Sequence, residues 1–203
     1  MKRYIVFEGI AGSGKSLMIS KVVDWLSTLN FKVHRIEEPS EKIREVVGTY
    51  DIDDRIDTLL FVADRLIQQK SLDKLSDDTI VLAERCFLST FAYQSSILIG
   101  NLFDLHNIYF EVKDFDMVLA SDTFIFPDAV IILDIPVKIG LERKKGEFEK
   151  WENLEILEEV RQNFKQMTID KKYPFEIYLI NSDREIDETF GQVQKIISNI
   201  LNI

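Results

Sequence analysis

The sequence predicts an α/β fold, a five-stranded parallel sheet covered by helices on both faces, and three observations predict it. Short apolar runs alternate along the chain with helical patterns. Two of the runs, Thr79-Ile80-Val81-Leu82-Ala83 and Ala129-Val130-Ile131-Ile132-Leu133, are continuously apolar, as strands buried on both faces are. The stretch Gly9-Ile10-Ala11-Gly12-Ser13-Gly14-Lys15-Ser16 fits GxxxxGK[ST], and it lies between the apolar run Tyr4-Ile5-Val6-Phe7 and an amphipathic segment with Leu17, Met18, Val22, Val23 and Leu26. Strand, glycine-rich turn and helix in that order make the loop a phosphate-binding loop and the fold a P-loop NTPase.

The elements follow in order. After the first helix, Phe31-Lys32-Val33-His34-Arg35-Ile36 alternates as a strand and ends at Glu37-Glu38-Pro39. A long helical pattern covers about 54 to 75, with Leu59, Leu60, Val62, Ala63, Leu66 and Ile67 on its apolar side. The third strand is followed by a helix over about 88 to 99, and mostly helix is expected over 101 to 126. Asp134 and Pro136 close the fourth strand. Helices are expected over 137–144 and 153–170, a last strand at Ile177-Tyr178-Leu179-Ile180, and a last helix over about 185–201. With no internal repeat, low-complexity tract or linker, residues 1–203 read as one domain, with a short lid at about 143–152.

Composition narrows the function. The chain has 203 residues, 46% hydrophobic and 30% charged, a globular mix able to bury a substantial core. Its formal net charge of −10 argues against DNA or RNA as a partner, yet a small cluster of cations in a cleft suffices for nucleotides. The apolar start is too short for a signal peptide and runs straight into the phosphate loop, and no apolar run approaches a membrane span, so a cytoplasmic protein is expected. The lone Cys86 cannot form an intramolecular disulfide and reads as a small residue packed after a strand.

Ligands of a parallel sheet bind outside the carboxyl ends of its strands. The first strand delivers the loop, where the segment Gly9, Gly12, Ser13, Gly14, Lys15, Ser16 and Leu17 can cradle the phosphates of ATP. Lys15 can reach the β- and γ-phosphates, and the Ser16 hydroxyl can ligate Mg²⁺. The second strand delivers Glu38, the third Glu84 and Arg85, and the fourth Asp134. Glu84 could hold Mg²⁺ or its water and Arg85 a phosphate, unless they form a structural ion pair; Asp134 could simply begin a turn.

At these residues the chain resembles the thymidylate kinases. Leu59-Leu60-Phe61-Val62-Ala63-Asp64-Arg65 is similar to their LLF-x-ADR helix, and Glu84-Arg85 through Tyr93-Gln94 to their DR-x-x-x-S-[ST]-x-AYQ motif. Phe7-Glu8-Gly9 matches their FEG. Pro127-Asp128 and Gly140-Leu141-Glu142-Arg143 resemble the flanks of their fourth strand, and Lys145 to Glu152 resembles their lid, with Val160-Arg161 beyond it. The resemblance covers almost the whole chain in order. It implies ATP and a deoxynucleoside monophosphate as substrates, with Mg²⁺. It also implies a homodimer as the assembly. By the same resemblance Phe61 is expected to stack the base, and Arg65 and Arg85 to hold the acceptor phosphate. It implies further that Ser89, Thr90, Tyr93 and Gln94 line the acceptor side, that Arg143 also binds ATP, and that Arg143 and Lys145 act with Lys15 and Arg85 in catalysis. Spacing agrees: Phe61 and Arg65, Ser89 and Tyr93, Thr90 and Gln94 are each four apart and share helix faces.

Several positions depart from the family pattern. Ala11 stands where an acidic residue usually contacts the sugar 3′-hydroxyl, Glu37 where an arginine stands, and Glu84 where aspartate does. Gly12 leaves the phosphate loop without a catalytic arginine, so the lid type is expected. The lid, however, offers Lys145 and Lys150 after Arg143 and Lys144, and lysine lacks the two-pronged contact of arginine. Three readings therefore stand. The first is a thymidylate kinase making dTDP and ADP from dTMP and ATP. The second is a deoxyribonucleoside kinase of similar fold in which Glu38 is a base. The third is a non-catalytic nucleotide-binding relative.

Overall fold

The computed structural model describes residues 2–49, 54–98, 125–144, 152–170 and 173–203. Five strands, β1 (Arg3–Glu8), β2 (Lys32–Glu37), β3 (Thr79–Glu84), β4 (Ala129–Asp134) and β5 (Glu176–Asn181), form one sheet in the order β2-β3-β1-β4-β5. Every pairing is parallel. The described helices are α1 (Lys15–Thr28), α2 (Glu41–Thr49), α3 (Asp54–Leu72), α4 (Phe87–Leu98), α5 (Val137–Arg143), α6 (Leu154–Ile169) and α7 (Ile186–Leu201).

Burial follows the sequence pattern. The continuous apolar runs are the central strands β1, β3 and β4, buried along nearly their whole length. The alternating segment becomes the edge strand β2, and β5 closes the opposite edge, each with only one fully buried residue. Tyr4, Val6, Val81, Ala83, Val130 and Ile132 face one core with Phe87 and Phe91 of α4 and Leu157, Val160 and Phe164 of α6. Their neighbours Ile5, Phe7, Ile80, Leu82, Ile131 and Leu133 face the other, with Met18, Ile19, Val22 and Leu26 of α1 and Val193 and Ile197 of α7. Period-two alternation sends adjacent residues of one strand into different cores, as a sheet covered on both faces requires.

Two differences from expectation stand out. The helix expected to reach residue 75 ends at Leu72, where the chain turns towards β3. Helix α2 was not expected at all. Its apolar side is only Ile43, Val46 and Val47, of which Val47 packs on the core, too short a stripe to read as helical periodicity. The helix expected over 101 to 126 lies outside the described residues as far as 124, and Ile125 and Phe126 are neither helix nor strand. Lid residues 145–151 also lie outside them.

Sheet order fixes where chemistry can happen. From β1 the chain moves to β2 and β3 on one side and later to β4 on the other, so the order reverses beside β1. A crevice opens at the carboxyl ends at such a switch point, and the glycine-rich loop follows β1 there.

Candidate active site

The loop after β1 is shaped by positions that a side chain would break. Gly12 has φ +74°, and a Cβ there would sit 1.9 Å from the Gly140 carbonyl oxygen of α5. Conversely, a Cβ on Gly140 would meet the Ala11 carbonyl oxygen at 2.7 Å. Loop and helix therefore touch backbone to backbone, which explains why Gly12 cannot carry the arginine that some members of the resembled family have there. The glycines leave a cradle in which the Ser13 hydroxyl is buried with no hydrogen-bond partner among the described residues. A buried donor without a partner is costly, and a phosphate oxygen is a fitting acceptor for it.

Lys15 opens α1 and is 5% exposed, its Nζ donating to the Gly9 and Ile10 carbonyls at 3.0 Å each. Burial lowers its ammonium from the usual 10.5 to about 7, and the positive charge of Arg85 acts in the same direction. Ser16 Oγ donates to Glu84 Oε1 at 2.9 Å, which sets a hydroxyl beside a carboxylate across from the loop. That pair of hard oxygen donors fits Mg²⁺, which draws most of its shell from water and phosphate. Among the described residues no three His, Cys, Asp or Glu gather as a fuller metal site. Leu17 points outward, 45% exposed, so it contributes backbone rather than side chain to the loop.

The acceptor side is built on α3 and α4. Arg65 is 3% exposed; its Nε donates to Glu38 Oε2 at 2.7 Å, Nη1 to Thr90 Oγ1 at 3.3 Å, and Nη2 to the Cys86 carbonyl at 3.1 Å. Burial pushes the Glu38 carboxyl up to about 7 while Arg65 pulls against it. Phe61, one turn before Arg65, packs half-buried against the core. Arg85 lies between β3 and α4 at φ +74°, its backbone N–H donating to the Phe7 carbonyl at 2.9 Å. Its guanidinium lies over the Tyr93 ring, 5.2 Å from the centroid, and donates to Ser89 Oγ at 3.0 Å. The expected site residues Lys15, Ser16, Glu84, Arg85, Ser89 and Tyr93 are thus brought together, as are Glu38, Arg65 and Thr90. Gln94 is in α4, but its side chain lies outside the described residues, as do Lys145 and Lys150.

Arg143 ends α5 and turns to the loop after β5, donating to the Ser182 carbonyl at 3.1 Å and lying 3.6 Å from Asp183. Its neighbour Lys144 pairs with Glu152, so an ion pair joins the two ends of the expected lid. Asp134 does more than begin a turn. Arg161 of α6 donates to both its oxygens, at 2.6 and 3.1 Å, and Lys165 reaches it at 3.1 Å. These cations hold its carboxyl below the ordinary value against the opposing effect of burial.

Some partners were not visible in the sequence. The reversed charge at Glu37 is answered by Arg44 of α2 at 2.8 Å, and Arg35 lies 3.4 Å from Glu84. Glu8, noted only as part of the FEG match, is fully buried and accepts from the Cys86 and Ser89 amides and the Ser89 hydroxyl. A single acidic residue at a strand end carries no periodic or spacing signal.

Comparison with known proteins places the chain among the thymidylate kinases. The model of the thymidylate kinase family matches residues 7–193. A thymidylate kinase of Thermosipho africanus is 33% identical, the match covering 98% of each chain. A thymidylate kinase of Thermosipho melanesiensis is 30% identical over 98% of this chain and 99% of its own. A probable thymidylate kinase of Staphylothermus marinus is 31% identical over 96% and 94%.

Proposed function

We propose, from the premise that the chain belongs to the thymidylate kinase family, that it transfers the γ-phosphoryl group of ATP to dTMP, giving dTDP and ADP. One observation carries the reading beyond membership. Lys15 and Arg85, one from the phosphate loop and one from the acceptor side, are like charges close enough that Arg85 depresses the Lys15 pKa. A buried lysine and a partly buried arginine of like charge are relieved by an anion bound to both, and phosphoryl groups of the two substrates supply it.

In this reading the loop amides, the Ser13 hydroxyl and Lys15 bind the ATP phosphates, and Arg143 lies on the nucleoside side of ATP. Phe61 stacks the acceptor base, Arg65 and Arg85 bind its phosphate, and Tyr93, Thr90 and Gln94 line its pocket. Ser16 and Glu84 would hold Mg²⁺, which supplies charge neutralisation to the transferred phosphoryl group. Catalysis is then positioning and electrostatics, with Lys145 of the lid adding charge. Glu38 serves to orient Arg65, accepting from its Nε at 2.7 Å. Residues 1–203 act as one domain with a lid at about 143–152, and a cytoplasmic homodimer belongs to the same reading. The acidic surface suits nucleotides rather than nucleic acid, and among the described residues no helix is long and apolar enough to cross a membrane.

A coupled ADP-release assay with dTMP, dUMP, dCMP and thymidine as acceptors tests this. The highest kcat/KM should be with dTMP; preference for thymidine would make the chain a nucleoside kinase, and no turnover with any acceptor would make it a non-catalytic relative.

A further inference from the structure

Glu8 ends β1 immediately before the phosphate loop, is 0% exposed, and bonds entirely to the other side of the site. Its Oε1 accepts from the Cys86 amide at 2.8 Å and the Ser89 amide at 3.1 Å, the first turn of α4. Its Oε2 accepts from the Ser89 hydroxyl at 2.7 Å. Ser89 Oγ in turn accepts from Arg85 Nη1 at 3.0 Å.

Those bonds fix the polarity of one hydroxyl. Ser89 has a single proton, and Glu8 takes it; the oxygen lone pairs are left for the arginine. A neutral amide could satisfy the two backbone donors at far smaller desolvation cost than a buried carboxylate. What a carboxylate does that an amide cannot is accept the hydroxyl proton with its second oxygen while setting a negative charge near Arg85 and Lys15. Capping α4 therefore accounts for the position of Glu8 but not for its charge.

We infer that Glu8 is a positioning residue: by accepting the Ser89 proton it turns the Ser89 lone pairs to Arg85 and holds that guanidinium for the acceptor phosphate. The inference rests on the proposed role of Arg85. The backbone of Arg85 is already fixed at φ +74° by its bond to the Phe7 carbonyl, so what remains to be set is the side chain. Tyr93 holds one face of the guanidinium and Ser89 one edge.

Glu8→Gln separates cap from polarity. Its Oε1 can stay on the two amides, but its NH₂ then faces Ser89 Oγ as a donor, so the Ser89 proton loses its acceptor and the hydroxyl is no longer held with its lone pairs towards Arg85. Steady-state kinetics of the full chain with dTMP and ATP should show the dTMP KM raised about tenfold by E8Q, as for loss of a hydrogen bond to a charged group. The ATP KM should rise less than the dTMP KM, because Glu8 acts on Lys15 only through charge, and the melting temperature should stay close to wild type. Ser89→Ala should do the same, and the double variant should be no worse than either single one, because both act through one hydroxyl. A dTMP KM within twofold of wild type in E8Q, or effects that multiply in the double variant, overturns the inference and leaves Glu8 as a helix cap. Where E8Q folds poorly, Ser89→Ala with Glu8 intact decides: a change under twofold overturns it. Arg85→Ala is measured alongside. If that variant leaves the dTMP KM within twofold, the assignment of Arg85 itself fails, an outcome distinct from failure of E8Q alone.

Discussion

Lys15→Met should make the protein more stable at neutral pH while abolishing its chemistry. The folded chain holds the Lys15 ammonium at about 7, whereas the unfolded chain has it at 10.5. Between those values the unfolded state binds a proton that the folded state does not, so stability rises with pH across the window and the full cost applies below about pH 7. A shift of this size corresponds to about 5 kcal/mol at low pH and about 4 kcal/mol at pH 7, as upper bounds. Methionine removes the titration but also the two bonds to the Gly9 and Ile10 carbonyls, worth about 1 kcal/mol each. The variant should therefore exceed wild type by about 2 kcal/mol at pH 7, match it at about pH 9, and fall below it at higher pH. Urea denaturation of both proteins at pH 7, 8, 9 and 10 measures the difference, in which the titrating groups not coupled to Lys15 cancel. A difference that stays constant from pH 7 to 10 would refute the argument, for it would mean that Lys15 keeps its ordinary pKa in the folded chain. Activity should fall at least about a hundredfold, since the same desolvated charge that costs stability is available to bound phosphates.

Two further outcomes follow from the buried contacts. Arg65→Ala leaves the Glu38 carboxylate, 5% exposed, without its guanidinium, and should lower the unfolding free energy by about 3–5 kcal/mol. Because Glu38 is already raised to about 7 and rises further without Arg65, the loss should be smaller at pH 6 than at pH 8; denaturation curves giving equal losses would count against the pairing. Gly12→Ala drives a methyl to within 1.9 Å of the Gly140 carbonyl from a left-handed backbone, so ATP affinity measured by titration calorimetry should drop by about tenfold or more. An affinity within twofold of wild type would mean that the loop and α5 part without consequence.

Much of the frame was legible because it is written locally. Hydrophobic runs gave the central strands, alternation gave an edge, and eight consecutive residues gave the loop. The acceptor helices were legible only through resemblance; Phe61 and Tyr93 by spacing alone are ordinary core aromatics, and both pack on the core. What stayed hidden is what depends on a helix without a readable periodicity or on partners far along the chain. Arg44 answers Glu37 from a helix whose apolar stripe is three residues, and Asp134 finds Arg161 and Lys165 on a helix beyond the lid. Glu8 finds its donors at separations of 78 and 81 residues. No window of sequence contains both ends of such a bond.

Sheet register nevertheless makes the juxtaposition at Glu8 a consequence of the fold rather than an accident. Parallel pairing places Phe7 of β1 opposite Glu84 of β3, so the next residue on each strand, Glu8 and Arg85, leaves the sheet at the same level. One chain then turns into the phosphate loop and the other into α4, and the Arg85 amide bonds back to Phe7 across the gap. A carboxylate and a guanidinium emerging side by side would ordinarily pair. Here Ser89 comes between them, accepting from Arg85 and donating to Glu8, which gives each charged group a hydrogen-bond partner while leaving the guanidinium off the carboxylate and able to meet a phosphate. A one-residue slip of β3 against β1 would reverse the face of every β3 side chain and would separate Arg85 from both the loop and its hydroxyl. The packing of Ile80 and Leu82 into one core and Val81 and Ala83 into the other therefore fixes the spacing between the phosphate loop and the arginine of the acceptor side.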